Sequence, residues 1–223
     1  IKEYLENTVV RKVNHNRQEK GMSSFKIRTD LALEARENMD DAAEECRGVS
    51  VEEEYDQKSE IRITRVVIET KNGAKAMGKP IGTYITLEAP AMALPDEDYH
   101  QEIAGELARQ LRRIIPGLEG EQSVMVVGLG NRDVTADALG PNVVDNLIIT
   151  RHMVKEYGKA AYNQNRIHMI SGLIPGVMAK TGMESQEIIK GVVEQTKPDV
   201  VVVIDALAAR STKRLNRTIQ VTN

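Results

Sequence analysis

Two aspartates stand where an α/β protein keeps its chemistry. Asp205 directly follows the apolar run VVVVI at 200–204, and Asp137 lies in the loop VGLGNRDVTADALGP after a second apolar run. Ligands and catalytic groups in open parallel sheets collect at the carboxyl ends of the strands. If two carboxylates converge there, they cannot both ionise cheaply and come to share a proton. The ionised member can then activate water, while the protonated one polarises a carbonyl or protonates a leaving amine. Such a pair is a hydrolytic dyad that titrates as a unit. Each aspartate also has a plainer reading. Asp205 can cap whatever follows it, and Asp137 can cap a helix beside Pro141. From residue chemistry alone both readings stand open.

The elements that must position these groups are legible from pattern. SVMVVGLGN at 123–131 and VVVVID at 200–205 are continuous apolar runs, as strands buried on both faces should be. IHMI at 167–170 reads as a shorter strand, and TIQVT at 218–222 as another. Between them, Pro141 can start a helix with an apolar stripe of Val143/Leu147 and Val144/Ile148 that closes near Gly158. Glu184–Thr196 is a second helix, stopped by Pro198. Alternating strands and helices define an α/β fold with a parallel sheet and helices on its faces. Upstream, IRITRVVIE at 61–69 and TYITLEA at 83–89 make a hairpin with a long loop, an added region at about 60–90. A helix then opens at Pro95-Asp96, with Asp96 as its N-cap, and ends at Pro116-Gly117.

Composition excludes several classes. The chain of 223 residues carries 30 Lys+Arg against 33 Asp+Glu, so no nucleic-acid or membrane partner is expected from its charge. It has no Trp and one Phe, which counts against stacking on single-stranded nucleic acid. No apolar run is long enough for a transmembrane helix. The single Cys46 excludes internal disulfides, suits a reducing cytoplasm, and sits among acids that make it a poor nucleophile. Gly73–Pro80 nearly spells a Walker A loop, but Pro80 lacks the hydroxyl that holds Mg²⁺ and a strand follows. Gly128-Leu129-Gly130 resembles a dinucleotide fingerprint, yet Asp133 stands where the third glycine belongs. His15, His100, His152 and His168 show no metal-ligand spacing. The chain opens on Ile1 and closes on Asn223 just after an apolar stretch, so a fragment with its far end missing is expected.

VMVVGLGN, VTADALGP, VDNLIITRH, PGVMAKTG, IKGVVEQTKPD and VVVIDALAARS together resemble the germination protease of endospore-forming bacteria, a likeness running through most of 24–223. The resemblance implies an atypical aspartic endopeptidase that initiates degradation of small acid-soluble spore proteins during germination, in the cytoplasm of the spore core. Its two catalytic aspartates match Asp137 and Asp205. The implied fold is similar to that of hydrogenase-maturation proteases, a three-layer α/β/α sandwich around a mostly parallel twisted sheet. Those proteins bind metal through acidic positions and a histidine. No histidine here matches that ligand, so no cofactor and metal-independent hydrolysis are expected. A metal-dependent maturation-type peptidase and a non-catalytic peptide-binding module remain the alternatives. Backbone amides near Gly128, Leu129 and Gly130 can support the developing oxyanion. Arg132 and Arg210, close to the aspartates in sequence, are candidates for an acid-recognising subsite. One departure is Ala136, where the family often shows Pro.

The N-terminus gains meaning from the same likeness. Residues 1–30 hold seven Lys/Arg and four Asp/Glu, and residues 31–60 hold three and eleven. The boundary falls at Asp30–Leu31, within FKIRTDLALEARE, which resembles the junction where the family's zymogen cuts itself. Residues 1–30 would then be a propeptide and 31–223 the catalytic domain. Thr29-Asp30-Leu31-Ala32 resembles the acidic-then-apolar cleavage sequence of the substrates. The family also implies self-association as a homotetramer.

Overall fold

The computed structural model describes residues 31–37, 48–118, 120–158, 167–209 and 211–223. Asp30, Arg210, Cys46 and His15 lie outside the described residues, as does the rest of the expected propeptide. The chain divides into two compact units, Ile1–Ile114 with Leu207–Asn223, and Ile115–Ala206.

The first unit is built on an antiparallel sheet of order β1-β2-β3-β7. Its strands are β1 (Val49–Tyr55), β2 (Arg62–Ile68), β3 (Gly82–Glu88) and β7 (Thr218–Thr222). β2 and β3 pair with Arg62 opposite Glu88 and Ile68 opposite Gly82, the hairpin that the sequence pattern indicates. Its long connection is not irregular. It folds into α2 (Lys71–Met77), which Thr70 caps by accepting from the Gly73 amide. Gly78, left-handed at φ 61°, ends it. Gly73, Gly78, Pro80 and Gly82 together disguise this short helix as a loop.

β1 is also an addition to the expected elements. The run Glu52-Glu53-Glu54 reads as a solvated charge cluster, yet it forms the outer strand of the sheet, with all three side chains exposed. Charge on an edge strand discourages pairing with other chains. Glu52 stands opposite Arg65 in the register, which favours this alignment. β7 corrects another expectation. TIQVT does not join the parallel sheet but pairs antiparallel with β3, Glu88 opposite Thr218.

Both faces of this sheet are covered. On one face Ile61, Ile63, Ile85 and Leu87 pack with Ile103 of α3 (Glu97–Ile114). Asp96 does cap α3, accepting from the Tyr99 amide at 3.0 Å. On the other face Val66, Ile68, Met77 and Tyr84 pack with Ala32 of α1 (Ala32–Glu37). Burying each large aliphatic side chain contributes about 1.5–3 kcal/mol. Tyr84 donates its hydroxyl to the Pro80 carbonyl, and burial pushes its phenol up to about 12.

The segment after Asp30 is part of this core. Leu31 is 1% exposed, and Ala32 and Glu34 are fully buried. The Ala32 amide donates to Gln220 Oε1 at 2.8 Å. Glu34 accepts from the Ser211 amide at 3.0 Å and from Arg214, whose Nε also donates to Glu88 at 2.7 Å. A buried carboxylate needs such partners, and removing one member of a buried pair strands the other. Glu34→Ala is therefore expected to destabilise the protein by about 3 kcal/mol, the low end because Glu88 still serves Arg214. Urea denaturation checks this; an unchanged midpoint would show that the network carries no stability.

The second unit holds a parallel sheet of order β5-β4-β6. Its strands are β4 (Ser123–Gly128), β5 (Met169–Leu173) and β6 (Val200–Ile204). Helices flank both faces. Met125 and Val127 pack with Ile189, Val192 and Val193 of α7 (Ser185–Thr196). On the opposite face α4 (Leu139–Asp145) lies against β4, and Val144 approaches Gly172 of β5. This is an α/β arrangement, with helices on each side of parallel strands. β4 is central and largely buried, as its sequence demands. β6 is only half-buried, because it is an outer strand of the three and not one enclosed on both sides.

The single helix expected from Pro141 to Gly158 is two. α4 stops at Asp145, and α5 (Arg151–Tyr157) begins after Thr150. Thr150 interrupts it by bonding to β5: its hydroxyl donates to the His168 carbonyl and accepts from the Ile170 amide. As a result Ile148, placed on the expected apolar stripe, is 80% exposed.

Candidate active site

Three glycines bring the two aspartate-bearing segments to the same end of the parallel sheet. β4 and β6 run side by side, with Gly128 opposite Ile204. The ladder continues one step further, the Leu129 amide donating to the Ile204 carbonyl at 2.8 Å. The start of α4 presses against both strand ends at Gly140. A Cβ there would stand 2.3 Å from the Leu129 oxygen and 2.5 Å from the Ile204 oxygen. A Cβ on Gly128 would likewise stand 2.3 Å from the Gly140 oxygen. Only hydrogen fits at either position. Asp205 is the residue that follows Ile204, so it leaves the sheet at this junction.

Asp137 is returned to the same junction by a folded loop. It closes a short 3₁₀ turn, Thr135–Asp137, directly before α4. Asn131 organises the loop: its amide donates to the Asp137 carbonyl at 3.0 Å, and its carbonyl accepts from the Val134 amide at 3.1 Å. Asn131 Oδ1 also accepts from the Asp133 amide. The Asp137 amide donates to the Val134 carbonyl at 2.8 Å, closing the turn. Gly130, at φ 116°, lies beneath. A Cβ on it would meet the Asp137 carbonyl oxygen at 2.0 Å and carboxylate Oδ1 at 3.1 Å. Asp137 is half-buried and Asp205 is exposed.

The capping readings of both residues find no support here. α4 has Ala138 as its N-cap and no side-chain capping bond. Residues 206–209 form no helix for Asp205 to cap, and its Oδ1 accepts locally from the Ala206 amide at 2.8 Å. The expected oxyanion trio needs correction. The Leu129 amide is engaged by Ile204, so it does not face a substrate, and Gly128 belongs to the strand ladder. Gly130 alone of the three lies in the loop against Asp137.

The basic candidates fare differently. Arg132 donates to Asp145 at 2.6 Å. Asp145 ends α4, about 9 Å along the helix from its start at the strand ends. Arg132 is thereby drawn toward the far end of that helix. A cation that the sequence pattern does not single out lies against the Asp137 loop. Lys180, on the short α6 (Met178–Thr181) that follows β5, pairs with Asp133 of the Asp137 loop. The Lys180 hydrogen bond and charge hold the Asp133 carboxyl below its usual range. The two residues are 47 positions apart, and no local pattern announces the pair. Asp199, which reads as a turn residue, ties the other end of the sheet by accepting from the Ser123 amide at 2.7 Å.

Two of the histidines make structural contacts. His168 Nδ1 accepts from the Gln122 amide, and His100 Nε2 contacts the Met92 carbonyl. Among the described residues, no group of three His, Cys, Asp or Glu side chains is placed to hold a metal ion. Among the same residues, no helix is long and apolar enough to cross a membrane.

Parallel strands, flanking helices and polar loops at one strand end define an α/β protein of the kind that keeps its chemistry at the carboxyl ends of its strands. The family model for germination protease matches residues 27–223, and the chain belongs to that family. It is 49% identical over 197 residues to the germination protease of Caldanaerobacter subterraneus subsp. tengcongensis, covering 88% of this chain and 59% of that protein. The Clostridium tetani germination protease is 43% identical over 198 residues, covering 88% and 60%. That of Priestia megaterium is 40% identical over 214 residues, covering 92% and 56%. The chain thus spans less than two thirds of the length of these curated relatives.

Proposed function

We propose that this chain is the precursor of an endopeptidase that processes itself at Asp30–Leu31 and then begins the degradation of small acid-soluble spore proteins at germination. Asp137 and Asp205 supply the acid/base pair: one carboxylate takes a proton from the attacking water, and the other gives a proton to the leaving amine. The Gly130 amide supports the developing oxyanion. The observation that carries this reading is the junction at Gly128, Gly130 and Gly140, where the Asp137 loop and the end of β6 meet. Family membership supports the reaction class and the substrate, and with them a place of action in the spore-core cytoplasm. It also supports assembly as a homotetramer; sedimentation as a monomer would remove that part.

Autoprocessing is tested at its own bond. Asp30→Ala is expected to leave residues 1–30 attached during incubation of the purified chain, read by intact-mass spectrometry. Release of a fragment starting at Leu31 from this variant, at the unaltered rate, would show that Asp30 does not define the cut. Because Leu31 and Ala32 are core residues of the antiparallel unit, the new N-terminus is expected to stay packed after cleavage.

A further inference from the structure

The Asp137 loop carries more than a carboxylate. Val134, three residues before Asp137, is 47% exposed, and Leu139, two residues after it, is 51% exposed. Apolar side chains left in water beside a reactive group are available to a substrate. The same loop holds a cation. Lys180 reaches Asp133 from the segment that leaves the carboxyl end of β5, the strand paired with β4. Asp133 is fixed to Asn131, and Asn131 to Asp137, so a short chain of bonds ties Lys180 to the candidate catalytic loop. Lys180 remains 54% exposed while paired. An ammonium has three donors, and one carboxylate oxygen does not exhaust them.

We propose that Lys180 is a specificity residue that receives the acidic side chain preceding the cut bond, while Val134 and Leu139 line the place of the apolar side chain that follows. The inference rests on the endopeptidase reading above and names the residues that give it its preference. This chain supplies a peptide of that chemistry in Asp30–Leu31. Arg132, the nearer basic residue in sequence, pairs instead with Asp145 at the far end of α4.

The test uses two peptides copying residues 25–37 of this chain, one with Asp and one with Asn at position 30. They are offered to the full chain after it has completed its own processing. The unaltered protein is expected to favour the Asp peptide by about tenfold in kcat/KM, the worth of one charge-assisted hydrogen bond. Lys180→Ala should bring that ratio close to one while changing the rate on the Asn peptide little. Lys180→Glu should favour a third peptide with Lys at the position. Asp133→Asn removes the charge of that pair but keeps an oxygen to accept from Lys180, so the preference should persist. A Lys180→Ala protein that keeps the tenfold preference overturns the inference, as does an equal loss on both peptides or a lost preference in Asp133→Asn. In each of those cases cleavage itself leaves the endopeptidase reading standing. Failure of the unaltered protein to cut any peptide overturns that reading and this inference with it.

Discussion

Asp137→Asn and Asp205→Asn are each expected to stop conversion at Asp30–Leu31 and to slow hydrolysis of a small acid-soluble spore protein by at least about a thousandfold. General acid–base catalysis contributes about 10²–10⁴-fold, and loss of either partner disables both proton transfers of the cycle. Asparagine keeps the size of the side chain, and neither aspartate caps a helix. Asp205 is exposed and Asp137 only half-buried, so folding should be retained within about 1 kcal/mol. Rates from gel densitometry and stabilities from urea denaturation separate the two effects. Full activity in either variant removes that residue from the mechanism.

Gly140→Ala is expected to lower stability and activity together. Its Cβ would lie 2.3 Å from the Leu129 oxygen, 2.5 Å from the Ile204 oxygen and 2.6 Å from the Leu129 nitrogen. All three are backbone atoms, so no flexible side chain can swing aside. α4 must back away from β4 and β6, straining the hydrogen bond from Leu129 to Ile204. Overpacking of this kind costs about 3 kcal/mol. The same displacement carries Asp137, three residues upstream, away from Asp205, so peptide hydrolysis should fall together with stability. A control is Gly105→Ala on α3, where an added Cβ meets nothing within 4 Å. That substitution should be neutral or slightly stabilising, since alanine favours helix more than glycine does. A folded Gly140→Ala protein of normal stability would contradict the close approach on which the site depends.

The strands that matter most are legible in the amino-acid sequence, and so are the residues at their ends. Unbroken apolar runs mark strands of a parallel sheet, so VMVV and VVVVI announce themselves as strands even though β6 is only half-buried, and position alone brings Asp137 and Asp205 forward. The Asp96 cap of α3 follows from local chemistry as well. Elements settled by distant partners are not legible in this way. Nothing within TIQVT says that it pairs with β3 and not with the parallel strands, because register with a partner over a hundred residues away decides it. Thr150 splits an otherwise continuous helical pattern only because β5 and the residue before it offer an amide and a carbonyl. Glu34 looks like one acid among many, and its burial depends on Arg214 and Ser211 from the other end of the chain. Lys180 is hidden for the same reason, its partner Asp133 lying on another strand's loop.

The candidate site divides along the same line. Its carboxylates sit on segments defined by local pattern, while Lys180, which pairs with Asp133 of the Asp137 loop, arrives from α6. The candidate carboxylates can therefore be picked out from the strand ends, whereas the Lys180–Asp133 pair requires the fold. The glycines belong to the first class in sequence and the second in meaning. GLG at 128–130 resembles a nucleotide fingerprint until Gly128 is seen against Gly140, and Gly130 against Asp137.

The proposed chemistry requires Asp137 and Asp205 to act as one unit. Single-turnover hydrolysis of the 25–37 peptide by Asp137→Asn, Asp205→Asn and the double variant decides whether they do. The double variant is expected to be no more than a few-fold slower than the slower single, because either loss already disables the pair. Losses that multiply in the double variant, or a single variant with the unaltered rate, would contradict the dyad.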